Sequence, residues 1–268
     1  MDRYLQLLWL IPLGFLAGGY GTLIGAGGGF VIAPVLLLIY PSEAPETVTS
    51  ISLAVVFFNA LSGTIAYTRS KRIDYKSGAI FAAATIPGAV SGALATTSVS
   101  RAKFNLVFGI LLVAVAIFLA LNPGKKVAAR VAQASLDAPR IAKPSARTLL
   151  AGVVLSMIFG FISSFFGVGG GFLYVPALVY LLHFPVHIAT ATSLFILTIT
   201  AFAGSATHVA AGLFHHGVRR AIALSIGAIL GAQVGAWLSH RFHGDWIIRG
   251  LAIALGLAGL RLIAPSLW

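Results

Sequence analysis

The chain has 268 residues, of which 59% are hydrophobic and only 9% are charged, and it contains no cysteine. So few charges, far below the roughly 25% of a soluble domain, together with apolar runs of about 20 residues, indicate an all-α polytopic membrane protein. The runs are continuous, which excludes a membrane β-barrel, because the strands of a barrel would show short segments of alternating hydrophobicity. The missing cysteines exclude disulfides, thiolate metal sites and thiol catalysis.

Eight full-length membrane spans are predicted, four in each half of the chain. In chain order they cover residues 5–24, 48–68, 77–96, 103–121, 147–166, 188–210, 217–239 and 246–264. The first span follows Arg3 and has the look of a signal peptide, but its counterpart at 147–166 lies in mid-chain, which favours a retained span. The polar residues 122–146 are predicted to form a linker between the halves.

Two shorter apolar pieces, residues 29–40 and 171–182, follow runs of glycine. Each is about 12 residues long, so a helix formed from it would measure about 18 Å and could not cross a hydrocarbon core of ~30 Å. We therefore expect both pieces to be half-helices that enter and leave the membrane on the same face.

The glycine runs belong to a motif that occurs twice. GAGGGFVIAPVLLLIY at residues 25–40 recurs 142 positions later as GVGGGFLYVPALVYLL at residues 167–182. Glycine is unfavourable inside a helix and permits backbone conformations closed to other residues, so each run predicts a helix break. Paired breaks in apolar segments are the sequence signature of a transporter binding site between repeats.

The similarity continues beyond the breaks and defines two homologous repeats. Four matches at an offset of 141 follow: Thr49/Thr190, Ser52/Ser193, Leu53/Leu194 and Gly63/Gly204. We predict a first repeat at 1–121 and a second at 147–268, each with about four transmembrane helices and a glycine-broken half-helix. The small-residue pairs Gly88/Gly92 and Gly231/Gly235 are expected to serve close helix packing in both repeats.

Positive charge sets the predicted orientation, because cytoplasmic loops are rich in lysine and arginine. With eight spans, fourteen of the 18 basic residues fall on one face, and the other face has Arg101, Lys103, Arg241 and Arg249. This arrangement predicts a cytoplasmic linker, cytoplasmic N- and C-termini and repeats in parallel orientation. The alternative is that the short pieces also cross the membrane. Each half would then have five crossings, the repeats would be inverted, and the basic residues would divide six against twelve between the faces. The net charge of +12 is assigned to loops near anionic lipid, so nucleic acid is not an expected partner.

These motifs resemble those of the TauE/SafE family, the sulfite exporter or toluene sulfonate uptake permease group. The resemblance rests on the duplicated GxGGGF-x3-P at Gly25–Pro34 and Gly167–Pro176, and on T-x2-S-L at Thr49–Leu53 and Thr190–Leu194. It covers nearly the whole chain apart from the linker. It implies a bacterial inner-membrane carrier, with about eight spans in two repeats, for sulfur-containing anions such as sulfite and organosulfonates.

The chemistry of the breaks fits an anion. A helix that begins at a glycine run presents unpaired N–H groups and about half a positive charge at its first turn. Hydroxyl and amide groups in the following spans could hydrogen-bond the oxygens of a sulfonate. The predicted substrate-binding residues are Gly27, Gly28, Gly29, Thr49, Ser52 and Asn59 in the first half, and Gly169, Gly170, Gly171, Thr190, Ser193, Thr200 and Gln233 in the second.

Other residue types carry no comparable signal. The four basic residues near the ends of spans are expected to reach lipid headgroups, and His208, which aligns with Tyr67, is expected to be a satisfied interfacial residue. No motif for an enzyme, a metal or a cofactor is found in the sequence. All six acidic residues map to loops or termini, so a proton relay through a buried carboxylate is not expected.

We therefore predict a secondary transporter that exports sulfite or an organosulfonate such as sulfoacetate, driven by voltage and by the gradient of the anion itself. One alternative is an importer of a sulfur-containing anion, a sulfonate or thiosulfate, coupled to a cation. Another is a membrane scaffold without transport, although a scaffold gains nothing from interrupted helices at membrane depth.

Overall fold

The computed structural model describes residues 7–121, 146–182, 184–214, 217–239 and 245–264, which form helices joined by turns and loops, with no strand among them. The first half contains α1 (Leu10–Ile24), α2 (Gly29–Ile39), α3 (Pro45–Arg69), α4 (Tyr75–Ala95), a short 3-10 turn (Thr96–Ser98) and α5 (Arg101–Leu121). The second half contains α6 (Ala146–Phe166), α7 (Gly171–Leu182), α8 (Val186–Ala210), α9 (Val218–Leu238) and α10 (Asp245–Ile263). The predicted all-α class is confirmed.

Six of the described helices are long and apolar enough to cross a bilayer by length and composition, namely α3, α4, α5, α6, α8 and α9. Their ends follow ordinary helix chemistry. Pro45 begins α3 at a position where its missing N–H costs nothing. Asp74 caps α4, because its carboxylate accepts hydrogen bonds from the backbone N–H groups of Lys76 and Ser77 at 3.1 and 3.4 Å.

The glycine runs break the helices as predicted. Gly25, Gly27 and Gly28 have φ angles of 75°, 73° and 59°, and Gly167, Gly169 and Gly170 have 68°, 90° and 62°. A side chain disfavours this left-handed region, so glycine is required at these positions. We call residues 25–28 the first break and residues 167–170 the second break. The first break joins α1, of 15 residues, to a half-helix of 11 residues, and the second joins α6, of 21 residues, to a half-helix of 12.

Helix directions show how the halves are related. Leu53 of α3 packs against Gly204 of α8, and Leu194 of α8 packs against Gly63 of α3, so these two central helices run antiparallel. The same holds for α5 and α10, where Gly109 meets Ile263. Corresponding helices of parallel repeats would run in the same direction. The halves are therefore inverted, and the parallel arrangement favoured from the sequence is wrong.

Helices of opposite halves also pair in parallel, α1 with α9 and α4 with α6, through the small residues expected to pack. A methyl group on Gly92 would overlap the Phe161 carbonyl, and one on Gly235 would overlap the Gly19 carbonyl. Because backbone stands against backbone, these glycines serve helix contact, and that prediction is confirmed. Each half thus packs mainly against the other.

These directions show on which face of the molecule each helix begins and ends. The start of α1 lies with the end of α10 on one face, the terminal face, and the end of α5 lies with the start of α6 on the other, the linker face. The helices α1 and α2 form a hairpin that returns to the terminal face, and α6 and α7 form one that returns to the linker face. The expectation that linker and termini share one face is wrong, because each half makes an odd number of passes. Residues 122–145 themselves lie outside the described chain.

Candidate functional site

The two breaks meet at the centre of the molecule. A methyl group on Gly171 would overlap the Gly25 carbonyl, and one on Gly29 would lie 2.6 Å from the Val168 carbonyl oxygen. Val56, near the middle of α3, packs against both breaks. All residues of both breaks are buried. Two half-helices therefore begin at one central point and run to opposite faces, α2 to the terminal face and α7 to the linker face.

Two serines of the predicted site hold the breaks in place across the halves. Ser52 Oγ, in the first half, donates a hydrogen bond of 2.5 Å to the Gly167 carbonyl of the second break. Ser193 Oγ, in the second half, donates a bond of 2.8 Å to the Gly25 carbonyl of the first break. We call these the crossed hydroxyl bonds. The sequence predicted both serines to be near the site, and the structure brings each to the break of the other repeat.

The two predicted threonines of the same motifs also lie against the opposite breaks. Thr49 packs on Gly167, and its Oγ1 donates to the Glu46 carbonyl of its own helix at 3.1 Å. Thr190 packs on Gly25 through its Cγ2. Both threonines are buried, so they close the packing around the breaks.

The remaining predicted polar residues lie on the helices that flank the breaks. With its amide nitrogen facing oxygen atoms, Asn59 donates to the carbonyls of Gly18 and Ala228, both at 3.1 Å. It is buried as expected, and it ties α3 to α1 and α9. Thr200 Oγ1 lies 2.9 Å from Thr85 Oγ1 of α4. Gln233 was expected to face the interior, but it is exposed, and its nitrogen bonds Ser62 Oγ at 2.7 Å.

A cavity of about 550 Å³ lies beside the breaks, between the half-helices and the α5–α10 pair. Ile24, Phe30 and six residues of α5 between Phe108 and Phe118 line it from the first half, and α6, α7, α10 and the second break line it from the second half. The lining residues from the second half are Phe159, Val168, Phe172, Leu173, Pro176, Ala177 and Leu255. The walls are apolar, so the polar groups able to bind an ion are those of the breaks.

The far end of α2 is fixed at the terminal face. Arg101 Nη2 donates to the carbonyls of Leu37 and Tyr40 at 3.1 and 3.3 Å, which supplies partners for the last turn of the half-helix. Arg220 pairs with Glu43 at 2.8 Å and lies over the Tyr40 ring at 4.0 Å. The expectation that Arg101 reaches lipid headgroups is therefore wrong. Lys103 is exposed, and the side chains of Arg241 and Arg249 lie outside the described residues.

Three buried polar residues of the second half were not assigned to the site from the sequence. Ser163, Ser164 and His208 are fully buried, and their side-chain oxygen and nitrogen atoms find no partner in the described part of the chain. The expectation that His208 is a satisfied interfacial residue is thus wrong. No motif marks these residues, because the first half has Gly21, Thr22 and Tyr67 at the matching positions.

Removal of a crossed hydroxyl bond should weaken the fold. We expect Ser52→Ala and Ser193→Ala each to lower the free energy of unfolding by about 1 kcal/mol, because each leaves a buried carbonyl without its donor. Thermal unfolding of purified protein measures this as a lower Tm. Ser91→Ala is the matched control, since that hydroxyl is exposed and bonds only its own helix. Equal Tm values for the Ser91, Ser52 and Ser193 variants would contradict the assigned role.

The comparisons with known proteins give the class of this chain, an integral membrane transporter. The family model "Sulfite exporter TauE/SafE" matches residues 10–262, and the chain belongs to this family. Its family is a family of transporters and not of enzymes. No solved structure matches the chain.

Several relatives cover almost the full length. The chain is 34% identical to "Probable membrane transporter protein YunE" of Bacillus subtilis, over 97% of this chain and 98% of the relative. It is 27% identical to "Probable membrane transporter protein MJ0441" of Methanocaldococcus jannaschii, over 96% and 97%. A "Probable membrane transporter protein" of Xylella fastidiosa is 28% identical, over 90% and 87%. These names describe membrane transporters and do not state a substrate.

Proposed function

We propose that this transporter exports a sulfur oxyanion, sulfite or an organosulfonate such as sulfoacetate, across the bacterial inner membrane. The observation that carries the proposal is the meeting of two half-helix N-termini at the protein centre. Each N-terminus concentrates about half a positive charge and donors that lack intrahelical partners. Two such ends at one buried point favour a small anion there, in a region where lipid excludes water.

Alternating access follows from the inverted arrangement. One half-helix runs from the centre to the terminal face and the other runs to the linker face, so each marks one route to the same central point. Movement of one hairpin relative to the α3–α8 pair would open one route while the other stays closed. The crossed hydroxyl bonds couple the two hairpins, because each break is held by a helix of the opposite half.

A cation-coupled importer of a sulfonate or thiosulfate is the second candidate. It would require a site for the coupling ion, and among the described residues no group of three or more His, Asp or Glu side chains could hold a metal ion. The described acidic residues, Glu43, Glu46, Asp74 and Asp245, lie at helix ends or in loops. Outward movement of an anion needs no coupling site, since the membrane potential favours it.

Transport by purified protein tests the proposal. Proteoliposomes loaded with labelled sulfite should release it faster than protein-free vesicles, and excess unlabelled sulfite, methanesulfonate or sulfoacetate should compete. Chloride and acetate serve as control anions. Release that is equal to that of protein-free vesicles for every sulfur oxyanion, under an inside-negative potential, would overturn the proposal. Uptake that depends on a sodium or proton gradient would favour the importer.

Orientation in the membrane belongs to the same proposal. Assigned by the helix ends that each segment joins, twelve basic residues belong to the linker face and six to the terminal face. The twelve are Arg69, Lys71, Arg72, Lys76, Lys125, Lys126, Arg130, Arg140, Lys143, Arg147, Arg241 and Arg249. Since positive charge favours the cytoplasm, we propose that the linker face is cytoplasmic and that both termini face outward. The earlier expectation of a cytoplasmic linker is kept, and that of cytoplasmic termini is replaced.

Labelling of single cysteines should report this orientation in intact cells, because the natural chain has none. We expect Ser98→Cys, between α4 and α5, to react with an impermeant thiol reagent. Ser70→Cys and Ser135→Cys should react only after the cells are opened. An epitope tag at the C-terminus should be accessible from outside. Labelling of Ser70→Cys in intact cells, with Ser98→Cys protected, would reverse the proposed orientation.

A further inference from the structure

The two breaks differ in their hydrogen bonds. In the first break, the N–H groups of Ala26 and Gly27 both donate to the Gly21 carbonyl, at 2.7 and 3.1 Å. In the second break, Val168 N–H donates to the Ser163 carbonyl at 3.1 Å, but Gly169 N–H makes no equivalent bond within the described residues. The second break therefore keeps a backbone donor that the first break uses internally.

The second break also lies beside a serine hydroxyl, whereas the first break leaves no space for a side chain at the matching position. At Gly21 the backbone of Gly28 packs so closely that any side chain would overlap it. The matching position in the second half is Ser163, whose Cβ and Oγ lie 3.0 and 3.4 Å from where a methyl group on Gly170 would be. Ser163 Oγ is fully buried and has no partner, so this hydroxyl is available to a ligand at the start of α7.

Ser164 and His208 are two further polar residues of the second half that lack partners, unlike their counterparts in the first half. Ser164 Oγ, also buried and unpartnered, lies 2.5 Å from the position of a methyl group on Gly204. His208 follows Gly204 by one helical turn, and neither ring nitrogen has a partner. In the first half, the matching Thr22 and Tyr67 are satisfied: Thr22 Oγ1 lies 3.3 Å from the Asn59 amide, and Tyr67 donates to the Thr22 carbonyl at 3.3 Å.

Buried polar groups without partners are unfavourable, and native proteins leave few of them. Here Ser163 lies against Gly170 at the N-terminus of a 12-residue helix, Val168 of the same break lines the cavity, and Ser164 lies against Gly204 of α8. The two serine hydroxyls, the Gly169 N–H and a neutral imidazole can each donate one hydrogen bond. An oxyanion offers acceptor oxygens to all of these donors at once, and the partial positive charge at the N-terminus of α7 favours an anion over a cation.

We propose that the chain binds one oxyanion at the second break, through Ser163 Oγ, Ser164 Oγ and Gly169 N–H, and that the first break is a structural counterpart without a ligand. This inference rests on the proposed function, because it assigns the anion to one half of the central site. The ligand enters through the cavity, which Val168 of the second break lines. His208 lies on the same side as a further donor.

Isothermal titration of purified protein with sulfite, and separately with methanesulfonate, tests the assignment. The wild type should bind one anion per chain. Ser163→Ala and Ser164→Ala should raise Kd about tenfold or more, since each removes a donor to a charged group. Neither variant should lower the Tm of the ligand-free protein, because the hydroxyl that it removes has no protein partner. Ser163→Gly inserts the residue of the first half and should weaken binding equally.

Thr22→Ala is the matched control from the first half. It should lower Tm, because it removes a bonded hydroxyl, and it should leave Kd unchanged. Two anions per chain, wild-type Kd values in all three serine variants, or weaker binding only in Thr22→Ala would each overturn the inference. If the wild type binds and transports the anions but the serine variants behave like it, only this inference fails. If the wild type binds none of them, the proposed function fails as well.

Discussion

Gly171→Ala should reduce anion transport at least about tenfold, although alanine is favourable in a helix. Gly171 begins α7 with an ordinary φ, so the substitution brings no backbone strain. Its methyl group would, however, overlap the Gly25 carbonyl and lie 2.7 Å from Ala26 Cα, so the two breaks would have to separate. Overpacking of this kind costs about 1–3 kcal/mol and would displace the start of the half-helix. The initial rate of labelled sulfite efflux from proteoliposomes measures the effect.

Gly29→Ala is the equivalent change in the first half and should act similarly, since its methyl group would lie 2.6 Å from the Val168 carbonyl oxygen. Gly256→Ala provides the matched control within a helix. A methyl group there meets only Ala116 Cβ, at 3.5 Å, so the variant should transport normally. Size-exclusion profiles must show that all three variants are folded. Wild-type transport by folded Gly171→Ala would show that close contact between the breaks is not needed.

Efflux should accelerate when the vesicle interior is made negative and should be indifferent to a pH gradient at fixed voltage. One charge moved across 100 mV gains about 2.3 kcal/mol, so a monovalent anion should redistribute by roughly 40-fold at equilibrium. The expectation depends on the absence of carboxylates within the described spans, where the acidic residues lie at helix ends or in loops. Valinomycin and potassium gradients set the voltage, and labelled sulfite reports the flux.

Dependence on the pH gradient with no response to voltage would contradict this prediction. Among the described residues, His208 is then the group to examine, because it is a fully buried imidazole with two unpartnered nitrogens. His208→Gln keeps polar character without the titration. If it abolished the pH dependence, the imidazole would be the proton carrier, and transport would be electroneutral or cation-coupled.

Helix positions could be predicted from the sequence because hydrocarbon thickness fixes the length of an apolar run and glycine runs end a helix. The half-helices at Gly29–Ile39 and Gly171–Leu182 follow from both rules together. The direction of the halves could not be predicted, since the length of a half-helix does not show from which face it is reached. That depends on the turn at Gly25–Gly28, which reverses the chain at mid-depth.

The site was predictable only in part for a related reason. Composition and spacing identified Ser52 and Ser193, but their bonds join residues 115 and 168 positions apart, which no local pattern encodes. The unpartnered hydroxyl of Ser163 is invisible in sequence, because serine in a membrane helix usually bonds its own backbone. Whether a hydroxyl is free is decided by packing, here by the space beside Gly170.

The antiparallel pairing of α3 with α8 determines how the chain could be divided. Two copies of one half inserted in the same orientation would bring these helices side by side in parallel and could not form the crossed hydroxyl bonds. Halves produced as separate polypeptides must therefore insert with opposite topologies before they can associate. A single unfused half could assemble with itself only by dual insertion, with equal numbers of copies facing each way.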